Sequence, residues 1–136
     1  MSSSEAKIFA LRLHPGQDLK KELDNFAREN HLQAGFIVTC VGSLRKATLR
    51  LANQPTATIR EQKFEIVSLV GTLSPDGSHL HLSISDSSGT TLGGHLLEGN
   101  EIYTTSEIVI GEANALRFRR EIDPQTTYKE LKIDKR

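Results

Sequence analysis

The sequence predicts an α+β fold: a largely antiparallel sheet of about seven or eight strands with one main helix. Three observations carry that prediction. Only residues 18–27 place their apolar side chains at helical spacing. The other apolar residues fall into short runs of β type, many of them alternating with polar residues. Clusters of glycine, proline, asparagine, aspartate and serine separate those runs at short intervals, as hairpin connections would.

The elements follow in order. Residues 7–13 read as a first strand, stopped by His14-Pro15-Gly16. Leu19, Leu23, Phe26 and Ala27 share one face of a helix, with Asp18 placed to cap its N-terminus and Asn30 to close it. Strands are then expected near 35–41, 46–52, 63–70, 79–85, 91–97, 105–110 and 115–122. Gly42-Ser43, Asn53-Gln54-Pro55, Ser74-Pro75-Asp76-Gly77, Gly99-Asn100 and Gly111-Glu112 punctuate them. One domain over 1–136 is expected, with residues 1–6 and the polar stretch from Asp123 onward wrapping or fraying. In residues 63–70, Phe64, Ile66 and Val70 lie on one face and Val67 and Leu69 on the other. That predicts a central strand covered on both sides, with Glu65 partly buried. A buried carboxylate needs a partner. Either Arg45 or Arg50 pairs with Glu65, or Glu65 is the acid or base of a site.

Bulk composition excludes several classes. The 136 residues are 37% hydrophobic and 25% charged, which suits a folded globular chain. Seventeen Lys and Arg balance seventeen Asp and Glu, so the basic excess of a dedicated nucleic-acid binder is missing. The single cysteine, Cys40, sits in an apolar run and reads as a buried structural thiol. It permits no intrachain disulfide, and with no apolar run of membrane-spanning length it points to a reducing, cytoplasmic setting.

The chemistry concentrates in residues 78–95, SHLHLSISDSSGTTLGGH. Strict alternation puts His79, His81, Ser83 and Ser85 on one strand face and Leu80, Leu82 and Ile84 on the other. A turn over residues 86–90 returns the chain as a partner strand. If Ser85 pairs with Thr91, His95 falls opposite His81 and Leu97 opposite His79. Directly opposite Cβ atoms lie about 4.5–5.5 Å apart, close enough for imidazoles to share an ion. Gly93-Gly94 lets another backbone or a ligand approach, or hosts a bulge. Three imidazoles with an open fourth position are a recurrent catalytic zinc arrangement; the competing reading is a solvent-facing polar strand. His14 and His31 read as loop residues.

Gly42-Ser43-Leu44, residues 47–50, residues 63–73, residues 79–86 and Gly93-Gly94-His95-Leu96 follow the order seen in the plants-and-prokaryotes conserved (PPC) domain. Residues 116–121 and 127–131 resemble its microbial members. The resemblance implies a homotrimer of this α+β fold and a metal, zinc first, at His79, His81 and His95. The H-x-H and G-G-H spacing is also similar to that of acetolactate decarboxylase, a zinc enzyme of the same fold, whose reaction does not transfer with the fold. Plant members carry an AT-hook; this sequence has no R-G-R-P core, and its one Arg-Arg pair is Arg119-Arg120. Gln62 and Lys63 stand where plant members commonly carry glycine and arginine. Two functions follow. In the first, a zinc-binding homotrimer binds or converts a small anionic or carbonyl ligand, with Glu65, Arg45 or Glu98 as acid, base or anion contact. In the second, a regulatory or scaffolding module, DNA-associated as in plant members, has trimerisation as its main role.

Overall fold

The computed structural model describes residues 2–136. In chain order the elements are β1 (Ala6–Leu13), α1 (Leu19–Glu29), β2 (Gly35–Arg50), β3 (Thr58–Arg60), β4 (Phe64–Ser74), β5 (Gly77–Ser85), β6 (Thr91–Leu96), β7 (Glu101–Ala113), β8 (Leu116–Ile122) and β9 (Lys129–Lys135). The main sheet runs β1-β7-β2-β4-β5-β6, every pairing antiparallel, with β3 added beside β2. β6 also pairs with the far end of β2, through Leu49 opposite Leu96 and Arg50 opposite His95. The sheet therefore curls until its last strand meets the strand that began the curl. β8 and β9 form a separate two-stranded hairpin.

The helix forms where its apolar spacing placed it. Leu19, Leu23 and Ala27 are buried, and Asp18 caps the first turn by accepting from the Lys21 N–H at 3.0 Å. Asn30 occupies the C-cap. This face packs into one core with Leu44 and Leu49 of β2, Ile66 and Leu69 of β4, Leu80, Leu82 and Ile84 of β5, and Leu96 of β6. A smaller cluster of Ala34, Ala113, Leu116 and Phe118, with Phe36 against it, docks the β8–β9 hairpin.

Three expectations change. The strands predicted at 35–41 and 46–52 are one continuous strand, because Gly42-Ser43 lets β2 bend under a neighbour instead of turning. A Cβ at Gly42 would lie 2.1 Å from the Thr105 carbonyl oxygen. The chain after Asp123 does not fray: it returns as β9, anchored where the Arg136 guanidinium meets the buried Glu112 carboxylate at 2.6 Å. Finally, β4 is not covered on both sides. A bulge between Ile66 and Ser68 resets its alternation, so Phe64, Ile66, Leu69 and Leu73 face the core. Glu65 is exposed opposite Ser43 and Ser85, and Val67 and Val70 are 57% and 54% exposed.

Polar groups close the curl. Asn100 is fully buried. Its side-chain oxygen accepts from the Thr48 N–H (2.9 Å), and its amide nitrogen donates to the carbonyls of Thr48 (2.9 Å) and Leu97 (2.7 Å). Its own N–H donates to Asp18 (3.1 Å), and its carbonyl accepts from the Leu19 N–H (2.9 Å). One residue thus ties the end of β2, the exit of β6 and the start of α1 together. Replacing Asn100 by alanine leaves the Thr48 N–H and the Leu97 carbonyl without these partners, while the Thr48 carbonyl keeps the Leu97 N–H. The expected loss is roughly 2–4 kcal/mol of stability, read as the shift of a denaturant midpoint; a loss below about 1 kcal/mol would contradict this role.

Candidate metal centre

The predicted hairpin register is the one observed. Ser85 pairs with Thr91 and His81 with His95, with no bulge at Gly93-Gly94. The expected Leu97–His79 pair does not form, because β6 ends at Leu96 and the Leu97 N–H donates to the Thr48 carbonyl instead. The glycine pair serves close backbone approach on both sides of β6. A Cβ at Gly93 would meet the Leu82 carbonyl oxygen at 2.9 Å, and one at Gly94 the Arg50 carbonyl oxygen at 2.6 Å. Gly71 does the same on the other side of β5: at φ +139°, a Cβ there would lie 2.0 Å from the His79 carbonyl oxygen. Glycines therefore flank the strand that carries two of the histidines.

Directly paired residues share a sheet face, so the pairings generate a row across four strands: Val70 of β4, His81 of β5, His95 of β6 and Arg50 of β2. One step along, Thr72 pairs with His79. This face is the outer one, since the intervening leucines fill the core. The ring centroids of His79, His81 and His95 are 5.0, 5.3 and 5.8 Å apart, and one nitrogen from each lies within 4.8 Å of the others. Tetrahedral ligands at zinc–nitrogen distances stand about 3.3 Å apart, so small side-chain rotations would close the three around an ion. The donor set is all imidazole.

Burial and neighbouring charge keep two of these rings in the form a metal needs. Burial lowers the His95 pKa from its ordinary 6.5 to about 4, helped by Arg50 and the neighbouring imidazoles. Burial also lowers that of His79, with Arg120 the next contributor. Both rings are neutral at pH 7, ready to ligate without first losing a proton.

His79 and His95 open onto a cleft of about 420 Å³. Arg50 lies on one side; Arg120, Tyr128, Lys129 and Glu130 of the C-terminal hairpin form another wall. Arg120 is fixed by two bonds: its guanidinium donates to Thr72 Oγ1 at 2.7 Å, and its backbone N–H donates to Asp76 at 2.9 Å. None of the other proposed contacts reaches this cleft. Arg45 pairs with Glu101 at 3.1 Å, Glu98 lies 3.9 Å from Lys21, and Glu65 is exposed beside Ser43 and Ser85. His14 and His31 are exposed, the latter at φ 54° after the helix. Cys40 is buried with Sγ 3.3 Å from Ser106 Oγ, and burial raises its pKa, as a structural thiol requires. Sequence reasoning missed the hairpin wall. The signal for Arg120 was present in the Arg-Arg pair, but nothing local indicates that Thr72 would hold its guanidinium.

Residues 1–114 match the Plants and Prokaryotes Conserved (PCC) domain. The chain belongs to this family. A hypothetical protein from Salmonella cholerae-suis has a solved structure that superposes with a TM-score of 0.98 at 44% identity, over 99% of this chain and 98% of that one. The metal-containing protein AF0104 from Archaeoglobus fulgidus gives a TM-score of 0.79 at 26% identity, over 97% and 99% of the two chains. The bifunctional protein GlmU of Synechococcus sp. (strain JA-3-3Ab) is 50% identical over 135 residues; these are 99% of this PCC chain but only 22% of that protein. Among the described residues no helix is long and apolar enough to cross a membrane.

The lowered histidine pKa values predict a pH effect on stability. An unfolded chain binds the His95 proton near pH 6.5, whereas the folded ring binds it only near pH 4. Stability of chelator-treated protein is therefore highest above pH 6.5 and falls as pH drops toward 4. His95→Gln should flatten that slope in denaturant titrations at pH 7, 6, 5 and 4. An unchanged slope would contradict the assignment.

Proposed function

We propose that this PCC-domain chain binds a divalent metal, zinc first, through His79, His81 and His95, and uses the open fourth direction to bind or convert a small anionic or carbonyl ligand. The observation that carries the reading is the convergence of three imidazole nitrogens within 4.8 Å beside a cleft bearing arginines. The metal-containing character of the Archaeoglobus relative supports it. A bound divalent ion would supply Lewis acidity. The chain's own residues do the rest: burial keeps His79 and His95 neutral, β5 and β6 fix the spacing, and Arg50 and Arg120 favour negative charge nearby.

The same reading includes a homotrimer. Val38, Val41, Val67 and Val70 are apolar and more than half exposed on β2 and β4, and Val70 adjoins His81 in the row across the sheet. A sheet face of this kind is commonly covered by another surface. Val41→Glu/Val67→Glu should lower the mass measured by light scattering from that of a trimer to that of one chain. An unchanged mass in the double variant would remove this face from the interface.

A second reading, a regulatory or scaffolding module, draws on one observation: in Synechococcus a sequence of this kind occupies only a fifth of a larger protein. A domain carried beside others can serve assembly alone. DNA association within that reading lacks a basic excess to drive it.

Elemental analysis of native protein beside a His79→Ala/His81→Ala variant tests the metal. About one zinc per chain in the native protein, lost in a variant that keeps its fold, is the expected result. Equal and negligible metal in both would leave the module reading standing.

A further inference from the structure

We infer that the C-terminal hairpin is the ligand-selecting wall of this site, and that with Arg50 it forms an oxyanion clamp for a small dianion of the dicarboxylate type. The inference rests on the metal-centre reading for the other end of the ligand. Arg119 is paired with Glu121 and Asp134, and Lys132 with Glu121. Among the described residues, the side-chain cations of Arg120 and Lys129, which line the cleft, have no carboxylate within 4.0 Å, and neither has that of Arg50. Three cations from three strands thus converge on one cleft without an internal counter-charge at contact.

The two carboxylates of the cleft do not cancel them. Asp76 accepts from the Arg120 backbone N–H at 2.9 Å, and Glu130 accepts from Thr126 Oγ1 at 3.0 Å. Three cations against two carboxylates leave a positive balance before any metal is counted. Arg120 is also pre-aimed. Its bond to Thr72 uses one of its five N–H donors, and Thr72 is the direct partner of His79, so the guanidinium is anchored beside the histidine cluster with a fork of donors still free. Arg50 is placed on the other side of the histidines by its strand position as the direct partner of His95. Tyr128 adds a phenol at the rim.

A ligand suited to this arrangement has one oxygen donor for the open metal position and a second oxyanion for the guanidinium forks. About 420 Å³ accommodates a molecule of dicarboxylate size. Residues 1–114, the portion that matches the family, contribute the histidines and Arg50, whereas Arg120, Tyr128 and Lys129 lie beyond it. The segment that matches the family thus carries the metal ligands, and the hairpin that follows it chooses what reaches them.

The test is calorimetric titration of the full-length, zinc-loaded chain with succinate and with its neutral isostere succinamide, repeated on Arg120→Gln and Lys129→Gln. Zinc content and melting temperature are measured on every sample. Succinate should bind at least about ten-fold more tightly than succinamide, and each substitution should weaken succinate roughly ten-fold without changing zinc content or melting temperature. Equal affinities for the two probes, native affinity in both variants, or no succinate binding at all would overturn the clamp. The two readings fail separately. A chain that takes up no zinc but still binds succinate through Arg120 sinks the metal centre and keeps the clamp. A chain that holds zinc and ignores succinate does the reverse.

Discussion

Closure of β6 onto β2 is the constraint on which the rest of this molecule depends. Without the Leu49–Leu96 and Arg50–His95 pairings, β6 would be a free edge and His95 would hang on a hairpin. Closure is secured by Asn100, whose buried amide satisfies three backbone groups of β2 and the β6 exit while its own backbone engages Asp18 and Leu19. An amide in this position is held strongly because every alternative leaves a desolvated donor or acceptor behind. The helix cap, the sheet closure and the histidine row therefore share one fastening.

The glycines make the closure sterically possible. Gly71, Gly93 and Gly94 each occupy a place where a Cβ would run into a neighbouring carbonyl oxygen. All three adjoin β5 or β6, so the backbones are close-set where the imidazoles must be held at fixed spacing. The same tightness half-buries His95, and that burial keeps it neutral. Packing and ligand chemistry are here one effect seen at two scales: a close-set backbone fixes the geometry and also sets the charge state.

Much of this was legible in the sequence. The helix with its Asp18 cap, the hairpin register that sets His81 against His95, and the buried Cys40 all follow from local periodicity and turn chemistry. The failures were of two physical kinds. A bulge at Ile66–Ser68 reverses the faces of the residues that follow it, so plain alternation sets Leu69 beside Glu65 and wrongly buries that carboxylate. Long-range choices were also invisible: that β2 would bend rather than break at Gly42, and that the polar tail would return as β9 once Arg136 found Glu112.

By itself the sequence determined which residues share a strand face and which pair across a short turn, because period and turn length are properties of neighbouring residues. It therefore placed the three histidines together. Only the tertiary structure decided what surrounds them. Arg50 arrives from the far end of β2 and Arg120 from the C-terminal hairpin, one separated from the histidine strand by curvature and the other by chain length. Sheet curl, bulges and a docked hairpin arise from the competition of many contacts for one core, and no window of sequence contains that competition.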